Sequence, residues 1–161
     1  MSEADSEPEA GFNRLGLISI YTSAVSLAVF SVSLVFPAFA YESNGRIENF
    51  PAIACLLWMP IALFAYPSAW GNPLLFFSWA MALRGFTSQQ QKWRVVALVS
   101  AVLASCLGLS FLNEKTVLLS TAGNTAPIIS SGLGFWLWII AMLIQITGLV
   151  LDLVCGWDRY A

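Results

Sequence analysis

Five side chains stand where binding or chemistry could be built: Trp70, Asn72, Pro73, Gln145 and Asp152. The first three fall in residues 65–73, a break inside a long apolar stretch. A helix interrupted within a membrane frees backbone groups that only protein or a wet cavity can cover. Transporters build binding sites from such breaks, and Trp70 and Asn72 are the natural contacts here. The structural alternative makes Asn72 an N-cap and Pro73 a first-turn residue that start a helix. Gln145 and Asp152 belong to a second set. Ala141, Gln145, Gly148 and Asp152 are spaced +4, +3 and +4, which puts them on one side of a helix. Gln145 is the most polar residue deep in an apolar run, and an amide there needs a hydrogen-bond partner. It could line a solute path, or tie helices together at about 1 kcal/mol. Asp152 is the only acid within an apolar run. It lies at the end of that run, where the sequence places it within reach of water and of an ion pair with Arg84 or Arg94.

The types that are missing narrow the chemistry. There is no histidine, which removes the commonest metal ligand and the commonest general base near neutral pH. Cys55, Cys106 and Cys155 are far apart and form no C-x-x-C pair, so a thiol-redox centre or a thiolate zinc site is not expected. They read as small apolar packers. No nucleophile, base and orienting group converge, so the sequence predicts no catalytic residues, no metal, no cofactor and no enzymatic activity. No basic stripe is present, which excludes nucleic acid as a partner.

The elements that must position these residues are membrane elements. Hydrophobic residues make up 58% of the 161, charged residues only 10%, and mean hydropathy is +0.77. A soluble domain carries about 25% charged residues, so the lipid bilayer must be part of this chain's solvent. Residues 1–13 are acidic and aperiodic, and read as a disordered tail. Residues 14–157 read as a single transmembrane domain with crossings at about 15–37, 50–83, 94–112 and 131–155. The Ala38-Phe39-Ala40 triplet would fit a cleaved signal peptide, but the apolar run before it is too long and its flank is acidic. Residues 50–83 hold 34 uncharged residues punctuated by Pro60, Pro67 and Gly71-Asn72-Pro73. That is too long for one simple crossing and too broken for one straight helix. Residues 41–49 read as a polar loop with an Asn44-Gly45 turn signal. Residues 113–130 read as a small extracytoplasmic hairpin turning at Ala122-Gly123-Asn124. Small residues at Ala97, Ala101 and Ser105, with Ser100, Ala104 and Gly108 beside them, offer a face for tight helix packing. Arg84, Lys92 and Arg94 form the strongest positive cluster. Short positive loops stay cytoplasmic, so this loop and, by parity, both termini are placed inside.

Two short patterns add a resemblance. Trp70-Gly71-Asn72-Pro73-Leu74-Leu75 and Gly132-Leu133-Gly134-Phe135-Trp136-Leu137-Trp138 together resemble small bacterial inner-membrane proteins that carry W-x-N-P-L-L and G-x-G-aromatic-W-L-W patterns. The resemblance covers roughly the second half of the chain. It implies a bacterial cytoplasmic membrane and no particular chemistry.

The expected fold is therefore all-α: a four-transmembrane-helix bundle with a broken second segment and a small extracytoplasmic hairpin. The expected function is interaction, as an accessory subunit or an immunity-type partner, with a protein partner or a second copy of the chain. The alternative is a small solute transporter or channel using the broken helix and Gln145.

Overall fold

The structure, a computed structural model, describes residues 9–118 and 124–157. Helix α1 (Glu9–Ser33) begins inside the segment read as an acidic tail; residues 1–8 lie outside the described residues. A hairpin of β1 (Pro37–Ser43) and β2 (Arg46–Pro51) follows. Next come two short helices, α2 (Ala52–Leu57) and α3 (Met59–Ala65), and one 3-10 turn over Pro67–Trp70. Helices α4 (Gly71–Ser88) and α5 (Gln91–Ser110) are joined by a tight turn in which Gln89 takes a left-handed conformation. Strands β3 (Thr116–Leu118) and β4 (Thr125–Ser131) lead into α6 (Leu133–Trp157).

This corrects the all-α expectation. Six α-helices and a four-stranded antiparallel sheet of order β2-β1-β4-β3 are present among the described residues. Two helical stretches there, 91–113 and 133–155, are long and apolar enough to cross a membrane, not four. The physical reasons are local. Pro60 and Pro67 cut the 50–83 stretch into α2, α3 and a single turn, each far short of a bilayer. Helix α4 carries Arg84 in its last turns. In α1, Leu17–Ser33 is the apolar stretch among the described residues.

The second correction concerns residues 41–49. Asn44 and Gly45 have φ of 51° and 73°, the pair of positive values that defines a type I′ turn. Such a turn matches the right-handed twist of the flanking strands and closes a two-residue hairpin. The supposed polar loop is thus strand and turn. The hairpin expected at 113–130 is present as β3 paired to β4, with Thr116 opposite Pro127 and Leu118 opposite Thr125. Of its expected turn, Ala122 and Gly123 lie outside the described residues. The two hairpins merge into one sheet because β4 pairs with β1, Phe39 opposite Ser131. Glycine permits the join: a Cβ on Gly132 or Gly134 would run into the Pro37 carbonyl.

The long helices pack chiefly as α1 on α6 and α4 on α5, with α5 also against α6 and α1 against α4. The small-residue face of α5 is buried at every one of its six positions, from Ala97 to Gly108. At the end remote from the sheet the core is Ala82, Ala97, Ala101 and Leu149. At the sheet end it is Phe30, Leu75, Phe135, Ile139 and Met142. The outward helix faces are apolar instead: Val25, Val99, Leu103, Leu143 and Leu151 are each about half exposed. Large apolar side chains cover the surface while polar ones are buried, the reverse of a water-soluble domain.

Candidate functional site

Two sites emerge, one at each end of the helices. The first is a line of buried polar side chains facing inward from α1, α4, α5 and α6. It starts at Asp152, whose carboxylate lies 3.4 Å from the Arg94 guanidinium. Asp152 is fully buried and the Arg94 side chain is 10% exposed, so the pair sits inside the protein. Arg94 is the fourth residue of α5. Its stem fits because Gly85 faces it: a Cβ there would stand 2.8 Å from Arg94 Cγ. The Ser19 hydroxyl of α1 faces the same carboxylate. Two turns along α6, the fully buried Gln145 donates through Nε2 to Ser78 Oγ at 3.3 Å. The Ser78 hydroxyl in turn donates to the Ala97 carbonyl at 2.8 Å, tying α6, α4 and α5 together. Ser26 donates to the Ala141 carbonyl at 2.7 Å, and Trp79 donates to Ser26 Oγ at 3.2 Å, tying α1 to α6 and α4.

The face Ala141, Gln145, Gly148 and Asp152 is buried throughout. Of the two cations offered as the partner of Asp152, the structure selects Arg94; Arg84 stacks over Trp93 instead, at 4.2 Å from the ring centre. The water access read for Asp152 is overturned, because α1 and α5 cover that end of α6.

The second site is a cavity of about 150 Å³ beneath the sheet. Its walls come from the inner sheet face (Phe39, Phe50), from α2 and α3 (Cys55, Trp58, Ala62), and from the helix ends that meet the sheet (Phe30, Phe135, Trp138). The walls are almost wholly apolar. Phe39 stacks on Phe50 at 5.0 Å and leans on Phe111 at 5.5 Å, so the aromatic lining is continuous from sheet to helices. Polar groups gather at Tyr66, Glu114 and Thr116. Burial pushes the Tyr66 phenol above its ordinary pKa, and the nearby Glu114 carboxylate adds to that.

Of the break residues, Asn72 lines the cavity. It is the second residue of α4, not its cap: Trp70 holds the N-cap position without a side-chain hydrogen bond. Pro73 follows as the third residue. Trp70 is 48% exposed and donates to the Leu63 carbonyl at 3.1 Å, pinning the 3-10 turn to α3. The break residues and the Gln145–Asp152 pair therefore do not form one site. The aromatic lining at Phe39 and Phe50 was missed: Asn44-Gly45 signals the turn that brings the two together, but Phe50 shares its side of β2 with the polar Arg46 and Glu48, so no alternation marks it. Among the described residues no cluster of three or more His, Cys, Asp or Glu side chains could hold a metal ion. Comparison of the chain with family models, with characterised proteins and with solved structures finds no match.

Proposed function

We propose that the chain is a multi-pass protein of a bacterial inner membrane that acts by binding and not by catalysis, holding the end of a lipid acyl chain in the cavity beneath its sheet. Two spans, α5 and α6, carry the membrane assignment, supported by the apolar outward faces of all four long helices. The positive charge of Arg84, Lys92 and Arg94 supports a cytoplasmic α4–α5 turn. The sheet, at the other end of α5, is then extracytoplasmic.

The observation that carries the reading is the cavity itself. A mainly apolar cavity of about 150 Å³ has room for a molecule of about benzene size, so it admits the end of one chain and not a bulky solute. The polar groups Tyr66, Glu114 and Thr116 on its lining suit a headgroup left in water. Gln145, engaged with Ser78 and fully buried, serves as glue between helices and not as the lining of a solute path.

Ala62→Phe tests the reading by filling the cavity from α3. Native mass spectrometry of protein purified in mild detergent is expected to show a phospholipid adduct on the wild type. The variant should lose it while its melting temperature holds. Equal adduct on both proteins would sink the proposal, because lipid held only on the outer helix faces is indifferent to this substitution.

A further inference from the structure

We infer that the chain associates with a second copy of itself through the free edge of β2, with Ile47 of one copy opposite Ile47 of the other. Strand β2 is an outer strand of the sheet, and Arg46, Ile47, Glu48 and Asn49 are all exposed. The other edge, β3, has three residues among those described. An open strand edge is a template for a further strand.

The register follows from the hairpin. Ser43 and Arg46 flank the two-residue turn, so the amide of Arg46 points at β1. Backbone groups alternate along a strand. The N–H and C=O of Ile47 and Asn49 therefore point outward, to the free edge. Two copies of β2 can pair antiparallel about Ile47, Glu48 or Asn49 with these groups matched, and the Glu48 register sets the two Glu48 carboxylates directly opposite each other, a like-charge pair that opposes it. Pairing about Asn49 sets Glu48 against Phe50 and Ile47 against Pro51, which has no N–H to give. Pairing about Ile47 sets Arg46 of each copy against Glu48 of the other. That gives two opposite-charge cross-strand pairs at closely approaching, non-hydrogen-bonded positions. It also covers Ile47, which is 71% exposed in a single copy. The surface is complementary to itself, as a two-fold interface requires. Glu48 is already oriented for the role: the Tyr41 hydroxyl donates to its Oε2 at 2.8 Å, leaving Oε1 to meet the incoming guanidinium. This interface does not depend on what occupies the cavity.

The test is sedimentation of the purified full chain in detergent, as wild type and as charge variants. Arg46→Glu and Glu48→Arg are each expected to weaken dimerisation about tenfold or more, because two attractive pairs become two repulsive ones. The double variant, Arg46→Glu with Glu48→Arg, restores the pairing and should return to the wild-type mass; both series are run with Tyr41→Phe so that loss of the Tyr41 bond is common to all. Ile47→Pro removes an outward N–H without touching the β1–β2 ladder, and should be monomeric with the lipid adduct retained. A monomeric wild type, or single charge variants that dimerise as well as the wild type, would overturn the interface. A double variant that stays monomeric would overturn this register.

Discussion

Asymmetry between the partners of the buried ion pair makes the sharpest test of the helix packing. Asp152 is fully buried, whereas Arg94 stands one turn into α5 with 10% of its side chain exposed. Removing one partner of a buried pair leaves an uncompensated charge and costs about 3–5 kcal/mol. Arg94→Met keeps the stem that packs on Gly85 but strands the Asp152 carboxylate, so its cost belongs at the top of that range. Asp152→Asn leaves the guanidinium unpaired, but a long side chain near a helix end can extend to water. Its cost belongs at the bottom or below. Replacing both, Arg94→Met with Asp152→Leu, removes the desolvation penalty together with the attraction and is expected to lie within about 1–2 kcal/mol of the wild type.

Whole domains are stable by only about 5–15 kcal/mol, so the single variants are readily resolved. Denaturant titration in detergent micelles, followed by tryptophan fluorescence, would supply the four corners of a double-mutant cycle. A double variant whose loss equals the sum of the two single losses would show that the partners do not interact. Arg94→Met costing less than about 1 kcal/mol would show that Asp152 reaches water after all, as its place near the end of the apolar run suggests.

Two smaller effects follow from other contacts. Gln145→Leu removes the bond to Ser78 while Ser78 keeps its bond to the Ala97 carbonyl, so a loss of about 1 kcal/mol in the same titration is expected, with unchanged lipid adduct. The Tyr41 phenol has a raised pKa, first through its bond to Glu48 and then through burial and the Glu48 charge. The folded chain therefore favours the neutral phenol. The hairpin stability it contributes is complete below the ordinary value near 10 and falls as pH climbs through the raised one, and phenolate absorbance against pH in Glu48→Gln should move back toward that ordinary value.

Much of the helical core was readable because its signal is periodic and local. The 3.6-residue spacing of small residues on α5 and of Ala141, Gln145, Gly148 and Asp152 on α6 identifies the buried faces without reference to the rest of the chain. A sheet whose middle pairing joins Phe39 to Ser131 has no such local signature. The strands also resisted reading one at a time. In β1 the alternation rests on alanines at 38 and 40, which fit a helix as well as a strand, and Pro37 was absorbed into the first crossing. The apolar composition of residues 50–66 is ambiguous for a different reason. Side chains that roof an internal cavity and side chains that face lipid are the same types, and only the prolines separate a span from two short helices.

Side-chain size explains why the cavity opens at one end of the helices and not the other. Where Ala82, Ala97 and Ala101 meet Leu149, small residues let the backbones of α4, α5 and α6 approach closely. Toward the sheet the inward positions change to Phe30, Phe135 and Met142, with Trp79, Phe111 and Trp138 packed against them. These rings meet edge to face, as Phe30 does with Phe76 at 5.5 Å, and the cavity lies beside them. The hairpin β1–β2 and the short helices α2 and α3 close over it. The prolines that spoil residues 50–83 as a straight span are therefore what let it fold back as that cover. A cavity roofed by short, proline-cut helices is also the part of the molecule that can open at least cost, since α2 and α3 bury no residue fully.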